Sequence, residues 1–264
     1  MNPFVNTNAV VTGASSGIGQ ATAVALARAG AQRILVHYHR NVAGANETAE
    51  LVRKAGAEAV VHSADLSSAA SRESLIDVAW QKLGPIHTWI NNAGADVLTG
   101  AASELAFDAK LELLINVDVL GTISLSRLVT QRMLSQDSAE LPPSVTFIGW
   151  DQAPHGMEGD AGQMFGPVKS AVMAYANSLA QSVAPNIRVN TVAPGWIQTK
   201  WGESTSDYWD KRAKNQSLMH RWGTPDDIAQ AIVYLASPSN TFITGQTINV
   251  NGGWNRKHGK SPGN

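Results

Sequence analysis

The chain has 264 residues, with 20 Lys+Arg against 21 Asp+Glu and a formal net charge of −1. A balance so near zero argues against nucleic acid or an anionic membrane as the main partner. There is no cysteine, which excludes disulfides, thiolate catalysis and Cys-ligated zinc and suits a reducing compartment.

In chain order, residues 8–12 (NAVVT) read as a first strand, followed by a glycine-rich turn and a helix that runs to Gly30. Residues 33–38 (RILVHY) read as a second strand, 47–54 as a helix stopped by Gly56, and 59–62 as a third strand. A helix over 71–83 ends at Gly84-Pro85, and a fourth strand covers 87–91. A long helix is predicted over 107–134, a fifth strand over 144–148, a helix over 168–183 and a sixth strand over 187–192. Thr224 and Pro225 open a helix over 225–235, and 246–250 form a seventh strand. Short apolar strands alternating with helices predict an α/β fold: a doubly wound parallel sheet of about seven strands, helices on both faces.

At roughly 150 residues per domain the length allows one or two. No linker, repeat or composition break divides the chain, so a single domain over 1–264 is expected. The start, MNPFVNTNAVVTG, lacks the basic region and long apolar core of a secretory signal, and no apolar run is read as approaching the ~20 residues of a membrane span. The expectation is a cytoplasmic protein that does not engage membranes. Residues 256–264 (RKHGKSPGN) read as a loose polar tail. Two long irregular stretches, 150–166 and 196–223, would both leave carboxyl ends of strands, where open α/β sheets bind ligands.

Thr12-Gly13-Ala14-Ser15-Ser16-Gly17-Ile18-Gly19 lies between the first strand and the first helix. Gly13 allows a tight turn, while Gly17 and Gly19 let backbone approach a pyrophosphate at the helix N-terminus. With this motif the chain resembles the short-chain dehydrogenase/reductase family, whose fold is a Rossmann-type sheet. Further motifs match in order over about residues 5–254. They are Asp65-Leu66, where the family holds adenine; Asn91-Asn92-Ala93-Gly94; Asn116 in INVDVLG; Lys169; Pro194-Gly195 with Thr199; Thr244-Gly245; and Val250-Asn251-Gly252-Gly253. The resemblance implies a nicotinamide cofactor held by Gly13, Ser15, Ser16, Gly17, Ile18, Gly19, His39, Arg40, Asp65, Leu66, Asn92, Ala93, Gly94, Lys169, Pro194, Gly195, Ile197 and Thr199. It also implies a small-molecule substrate and a homodimer or homotetramer. No metal is implied.

An NAD enzyme usually carries an acid at the end of the second strand, but this chain reads His37-Tyr38-His39-Arg40-Asn41. Arg40 can fork onto a 2′-phosphate and His39 can add a donor, so NADP(H) is expected, with NAD(H) as the alternative. HYHR followed by AGAN resembles the corresponding segment of pteridine reductases. Many NADP-using members carry a second basic residue in the glycine motif; here that place is Ser16.

The family's proton donor is a tyrosine four residues before the lysine, and here that residue is Phe165. The place seven before the lysine, which serves some enoyl reductases, is Gly162, and the family's serine would fall near Gly149-Trp150. A phenyl ring donates no proton, and an unrepaired loss costs roughly 10²–10⁴ in rate. Three readings stay open. Another acid substitutes: Asp151 first, matching an aspartate of pteridine reductases, then His155, with Glu158, Asp160 and Tyr208 nearby. Alternatively a water held by Lys169 and Asn116 supplies the proton to a conjugated acceptor. In the third reading the protein binds cofactor without turnover, as a sensor or silent partner.

The chain has 8 Trp, and several flank the two irregular stretches. Trp150, Phe165, Trp196, Trp201 and Tyr208 are the expected substrate contacts, joined by Trp209, Trp222 and Met219 in a lid over about 196–223 hinged at Pro194-Gly195. Asp207, Asp210, Lys211 and Arg212 predict a short, surface-facing helix within that lid. The expected function is reduction or oxidation of a small, flat or apolar carbonyl, imine or conjugated compound at an active site lacking the usual tyrosine.

Overall fold

The computed structural model describes residues 2–136, 142–203 and 205–255, with residues 201 and 203 described by backbone alone. The expected tail at 256–264 lies outside the described residues. Seven strands form one parallel sheet: β1 (Asn8–Val11), β2 (Arg33–Tyr38), β3 (Glu58–Ser63), β4 (Thr88–Asn91), β5 (Ser144–Ile148), β6 (Arg188–Pro194) and β7 (Gln246–Val250). Their order is β3-β2-β1-β4-β5-β6-β7, and every neighbouring pair is parallel. The winding therefore reverses between β1 and β4, where a crevice opens beyond the carboxyl ends of the strands.

The two faces separate by the period-two alternation of the strands. Ala9, Val11, Ile34, Val36, Ile90 and Val192 pack against α1 (Gly17–Arg28), α2 (Val42–Lys54) and α9 (Pro225–Ala236). Val10, Leu35, Trp89, Val145, Phe147 and Val189 pack against α3 (Ala69–Leu83), α5 (Thr122–Ser135) and α6 (Gly159–Val183). Asn41 caps α2 through Gly44 N–H, and Thr224 and Asp227 close a capping box on α9.

Three readings of the sequence are corrected. Residues 159–166 are not irregular: α6 starts at Gly159 and runs through Pro167. Three glycines and a proline before residue 168 mask that start, because both residue types oppose helix in isolation. Packing overrides them; at Gly162 a Cβ would sit 2.0 Å from the Met157 carbonyl oxygen. The long helix over 107–134 is divided into α4 (Phe107–Leu114), a π-helical segment (Ile115–Gly121) and α5. The helical rod Phe107–Ser135 also has the length and mean hydropathy, 1.4, of a membrane span, contrary to the sequence expectation. Its apolar residues Leu114, Leu125, Val129 and Met133 are instead buried inside the fold, as in the core helix of a globular protein. The lid region 196–223 carries α7 (Lys200–Glu203) and α8 (Asp207–Gln216), the latter being the predicted short helix.

Candidate active site

The glycine-rich turn sits at the carboxyl end of β1 with Gly13 and Gly17 at positive φ, +63° and +54°. Gly19 is confined: a Cβ there would lie 2.3 Å from the Gly13 carbonyl oxygen and 2.5 Å from Asn92 Nδ2. Asn92 donates from Nδ2 to the carbonyls of Thr12 and Gly13, both at 2.9 Å, and Thr12 Oγ1 accepts from the N–H groups of Asn92 and Ala93. The β4 turn thus fixes the phosphate turn by hydrogen bonds. No side chain caps α1 at Ser16. Its first-turn N–H groups and the positive end of its dipole therefore face the crevice, which fits a pyrophosphate.

A residue the sequence reading left as plain strand completes this cradle. His37 is fully buried; Nδ1 accepts from Gly13 N–H at 3.0 Å and Nε2 donates to the Ala64 carbonyl at 3.0 Å. Accepting at Nδ1 requires the neutral ring, and burial pushes its pKa down to about 4. The unfolded chain binds a proton near pH 6.5, so between 6.5 and 4 it holds more protons than the folded chain. Stability is then fully present above pH 6.5 and falls as pH drops towards 4. Urea unfolding at pH 5 should give a stability about 2 kcal/mol below that at pH 7, most of it absent in His37→Asn.

At the far end of the crevice, His39 and Arg40 are exposed at the end of β2, beside Asp65. Asp65 Oδ1 accepts from the Ser67 hydroxyl and N–H, which hold its carboxyl below the usual range. His39 Nε2 lies 3.8 Å from Asp65 Oδ2. Leu66 is buried, and the Leu66 carbonyl oxygen would lie 2.6 Å from a Cβ at Gly121.

Beyond the carboxyl ends of β5 and β6 lies a cavity of about 410 Å³. Phe165, Trp150, Trp196, Trp209, Trp222 and Met157 supply most of its wall, with Ile18, Leu98, Thr199 and Pro194-Gly195 at its edges. Among the described residues lining it, Lys169 is the one charged group. Lys169 Nζ donates to Asp118 Oδ2 at 3.0 Å, and Asp118 Oδ1 accepts from Ala95 N–H at 2.7 Å. The Asp118 side chain is 2% exposed and that of Lys169 17%. Asp118 was missed in the sequence; its signal was a lone acid within the apolar run LLINVDVLG, where an unpaired charge would be costly. Asn116 lies in the same π-helical segment, a helix type that recurs at functional sites.

The structure does not bring all expected acids to this cavity. Asp151 is buried, and neither it nor His155 is among the lining residues. Asp151 Oδ2 accepts from Asn251 Nδ2 at 2.9 Å, and Oδ1 has no partner; burial pushes the carboxyl pKa up. This aspartate ties the turn after β7 beneath Gly195, where a Cβ would lie 2.5 Å from Asn251 Cβ and 3.3 Å from Asp151 Oδ2. His155 is exposed, and its N–H donates to the Gln152 carbonyl. Tyr208 and Met219 are exposed and outside the lining, while the side chain of Trp201 lies outside the described residues. Among the described residues no group of three His, Asp or Glu side chains gathers at metal-binding distance.

The lid is held by its own aromatic network. Trp196 stacks with Trp209 at a tilt, 5.7 Å between centroids, and meets Trp222 edge-on at 5.9 Å. Arg212 lies over the Trp196 and Trp209 rings and pairs with Glu158 in the loop before α6. Trp196 Nε1 donates to Gln216, and Trp222 Nε1 to Asp210. Of these contacts the Arg212–Glu158 pair joins the segment to the loop before α6.

A family model described as enoyl-(acyl carrier protein) reductase matches residues 13–255. An oxidoreductase of Methylorubrum extorquens described as uncharacterized is 34% identical over 93% of this chain and 96% of its own length. A 3-oxoacyl-[acyl-carrier-protein] reductase of Synechocystis is 32% identical over 93% and 95%. Among solved structures, a short-chain dehydrogenase/reductase from Serratia marcescens superposes with a TM-score of 0.82 at 28% identity, covering 95% of this chain and 98% of that one. A 7α-hydroxysteroid dehydrogenase solved with NADH and 7-oxo glycochenodeoxycholic acid superposes with a TM-score of 0.84 at 26% identity, covering 96% of each chain. The chain belongs to the short-chain dehydrogenase/reductase family, an oxidoreductase family that binds nicotinamide cofactors.

Proposed function

We propose that this protein is an NADP(H)-dependent oxidoreductase acting on a small, flat or apolar carbonyl, imine or conjugated compound, without a tyrosine donor. The observation that carries the reading is the cavity itself: aromatic walls, Phe165 among them, and Lys169 as the charged group among the described residues lining it. Aromatic faces bind flat rings by offset stacking and by burial of area. The cofactor supplies a hydride when bound. Gly13, Gly17 and the N–H groups opening α1 would hold its pyrophosphate, and Asp65 and Leu66 its adenine. Lys169 would hold the nicotinamide ribose, with Asn116 ordering a water beside it. Thr199 and Ile197 would border the nicotinamide, and residues 196–223 would close over it from a hinge at Pro194-Gly195. The assembly in this reading is a homodimer or homotetramer in the cytoplasm.

The preference for NADP(H) rests on Arg40 and His39 standing exposed where an NAD enzyme carries an acid. A steroid dehydrogenase of similar fold was solved with NADH, so the family scaffold alone does not choose between the cofactors. The choice is tested by titrating the protein with NADPH and NADH and following energy transfer from the cavity tryptophans. NADPH should bind more tightly, and Arg40→Asp should weaken it by about 10–100-fold, as loss of a charge-assisted bond does, leaving NADH little changed. Equal binding of both cofactors by the unaltered protein would overturn the assignment.

A second reading, cofactor binding without turnover, is favoured by one observation. No carboxylate or imidazole is among the described residues lining the cavity. Hydride transfer from bound NADPH to any flat carbonyl or quinoid acceptor excludes it.

A further inference from the structure

We propose that Asp118 is a positioning residue of this active site, holding the Lys169 side chain in place against the cavity wall. The inference rests on the proposed function in taking that cavity as the place of chemistry. Its geometry stands by itself.

Three elements meet at this carboxylate. The π-helical segment Ile115–Gly121 carries Asp118, and α6 brings Lys169 Nζ to 3.0 Å from Oδ2. The turn after β4 brings Ala95 N–H to 2.7 Å from Oδ1. Gly94 in that turn makes room, since a Cβ there would lie 2.8 Å from Asp118 Oδ2. Both oxygens are thus engaged, one by a backbone donor that fixes the plane and one by the ammonium.

The surroundings show why the pair matters. Leu114, Val168 and Met164, on or adjoining the elements that carry the pair, are buried in one apolar cluster, with Phe165 packed against it. An ammonium in apolar surroundings is disfavoured by desolvation unless a carboxylate faces it. Asp118 supplies that carboxylate. An ammonium has three N–H donors; one reaches Asp118, and the other two remain for the nicotinamide ribose and for an oxygen in the cavity. Phe165, four residues before the lysine, carries no hydroxyl, and Nζ is the one charged donor among the described residues lining the cavity. The site is therefore fitted to ligands presenting an oxygen acceptor on an otherwise flat, apolar body.

Carbamylation by cyanate tests the pairing without cofactor or substrate, because an amine engaged by a carboxylate is less available to react than a free one. Peptide mapping follows Lys169, with exposed Lys54 and Lys82 as internal references. In the unaltered protein Lys169 should react more slowly than either reference. In Asp118→Asn, which keeps an oxygen for the Ala95 N–H, the Lys169 rate should rise about tenfold, with Lys54 and Lys82 unchanged. Gly94→Ala, whose methyl group would displace Oδ2, is a second route to the same increase should Asp118→Asn fail to fold. A Lys169 rate unchanged in folded Asp118→Asn or Gly94→Ala would overturn the proposal. Failure to bind NADPH or to turn over a carbonyl would instead strike the proposed function and leave this result standing.

Discussion

Lys169→Met should abolish detectable turnover and destabilise the protein by about 3–5 kcal/mol, because it strands a buried carboxylate. Asp118 accepts one backbone bond from Ala95, and its other oxygen faces Lys169. Without the ammonium that oxygen has no charged partner within an apolar cluster. The double variant Asp118→Asn, Lys169→Met removes both charges together, and most of the lost stability should return. Activity should not return, since no other charged group is among the described residues lining the cavity. Urea unfolding of the two single variants and the double variant gives the coupling energy. A coupling near zero would mean that the pair is solvated and contributes little, as exposed ion pairs do.

Gly19→Ala should remove nicotinamide cofactor binding by two orders of magnitude or more. One added carbon would stand 2.3 Å from the Gly13 carbonyl oxygen and 2.9 Å from Ala14 Cα. Neither is the end of a flexible side chain, so backbone must move, and overpacking of this kind costs about 1–3 kcal/mol. The movement opens the turn that must receive the pyrophosphate. Gly17→Ala is the informative contrast. Its nearest neighbour would be Thr199 Cγ2 at 3.7 Å, and the penalty is chiefly the left-handed φ of +54°, worth about 1–2 kcal/mol. Titration with NADPH beside thermal unfolding separates the two. Gly19→Ala should lose binding out of proportion to stability, and Gly17→Ala should lose some of each.

Much of the cofactor side was legible because it is local. Gly13 to Gly19 must follow a strand and open a helix, and the spacing of glycines declares both. The strands at 33–38, 144–148 and 246–250 were read to the residue, since each is a short run bounded by loop residues and matches β2, β5 and β7. Phe165 was legible too, as a departure at a known spacing from Lys169. The structure places it against the same cluster as Leu114 and Val168 and in the cavity wall.

What failed was local propensity where packing overrides it. Gly159, Gly162 and Pro167 argued for a loop and lie in α6. The rod Phe107–Ser135 carried too few charges to look like anything but apolar helix, yet one of those charges, Asp118, is the partner of Lys169. The two lie 51 positions apart in sequence, and no pattern along the chain announces such a pair. His37 was equally silent: alternation placed it in a strand, and only the fold set its two ring nitrogens between Gly13 and Ala64.

The sequence by itself determined the sheet, its winding and the glycine-rich turn, because periodicity and glycine spacing act over a few residues. The tertiary structure decided which partner each acid meets. It set Asp151 beneath Gly195, where Asn251 donates to it, and brought Asp118 to Lys169. Desolvation enforces that outcome: a charge removed from water must find its partner wherever the fold places one, whatever the distance along the chain.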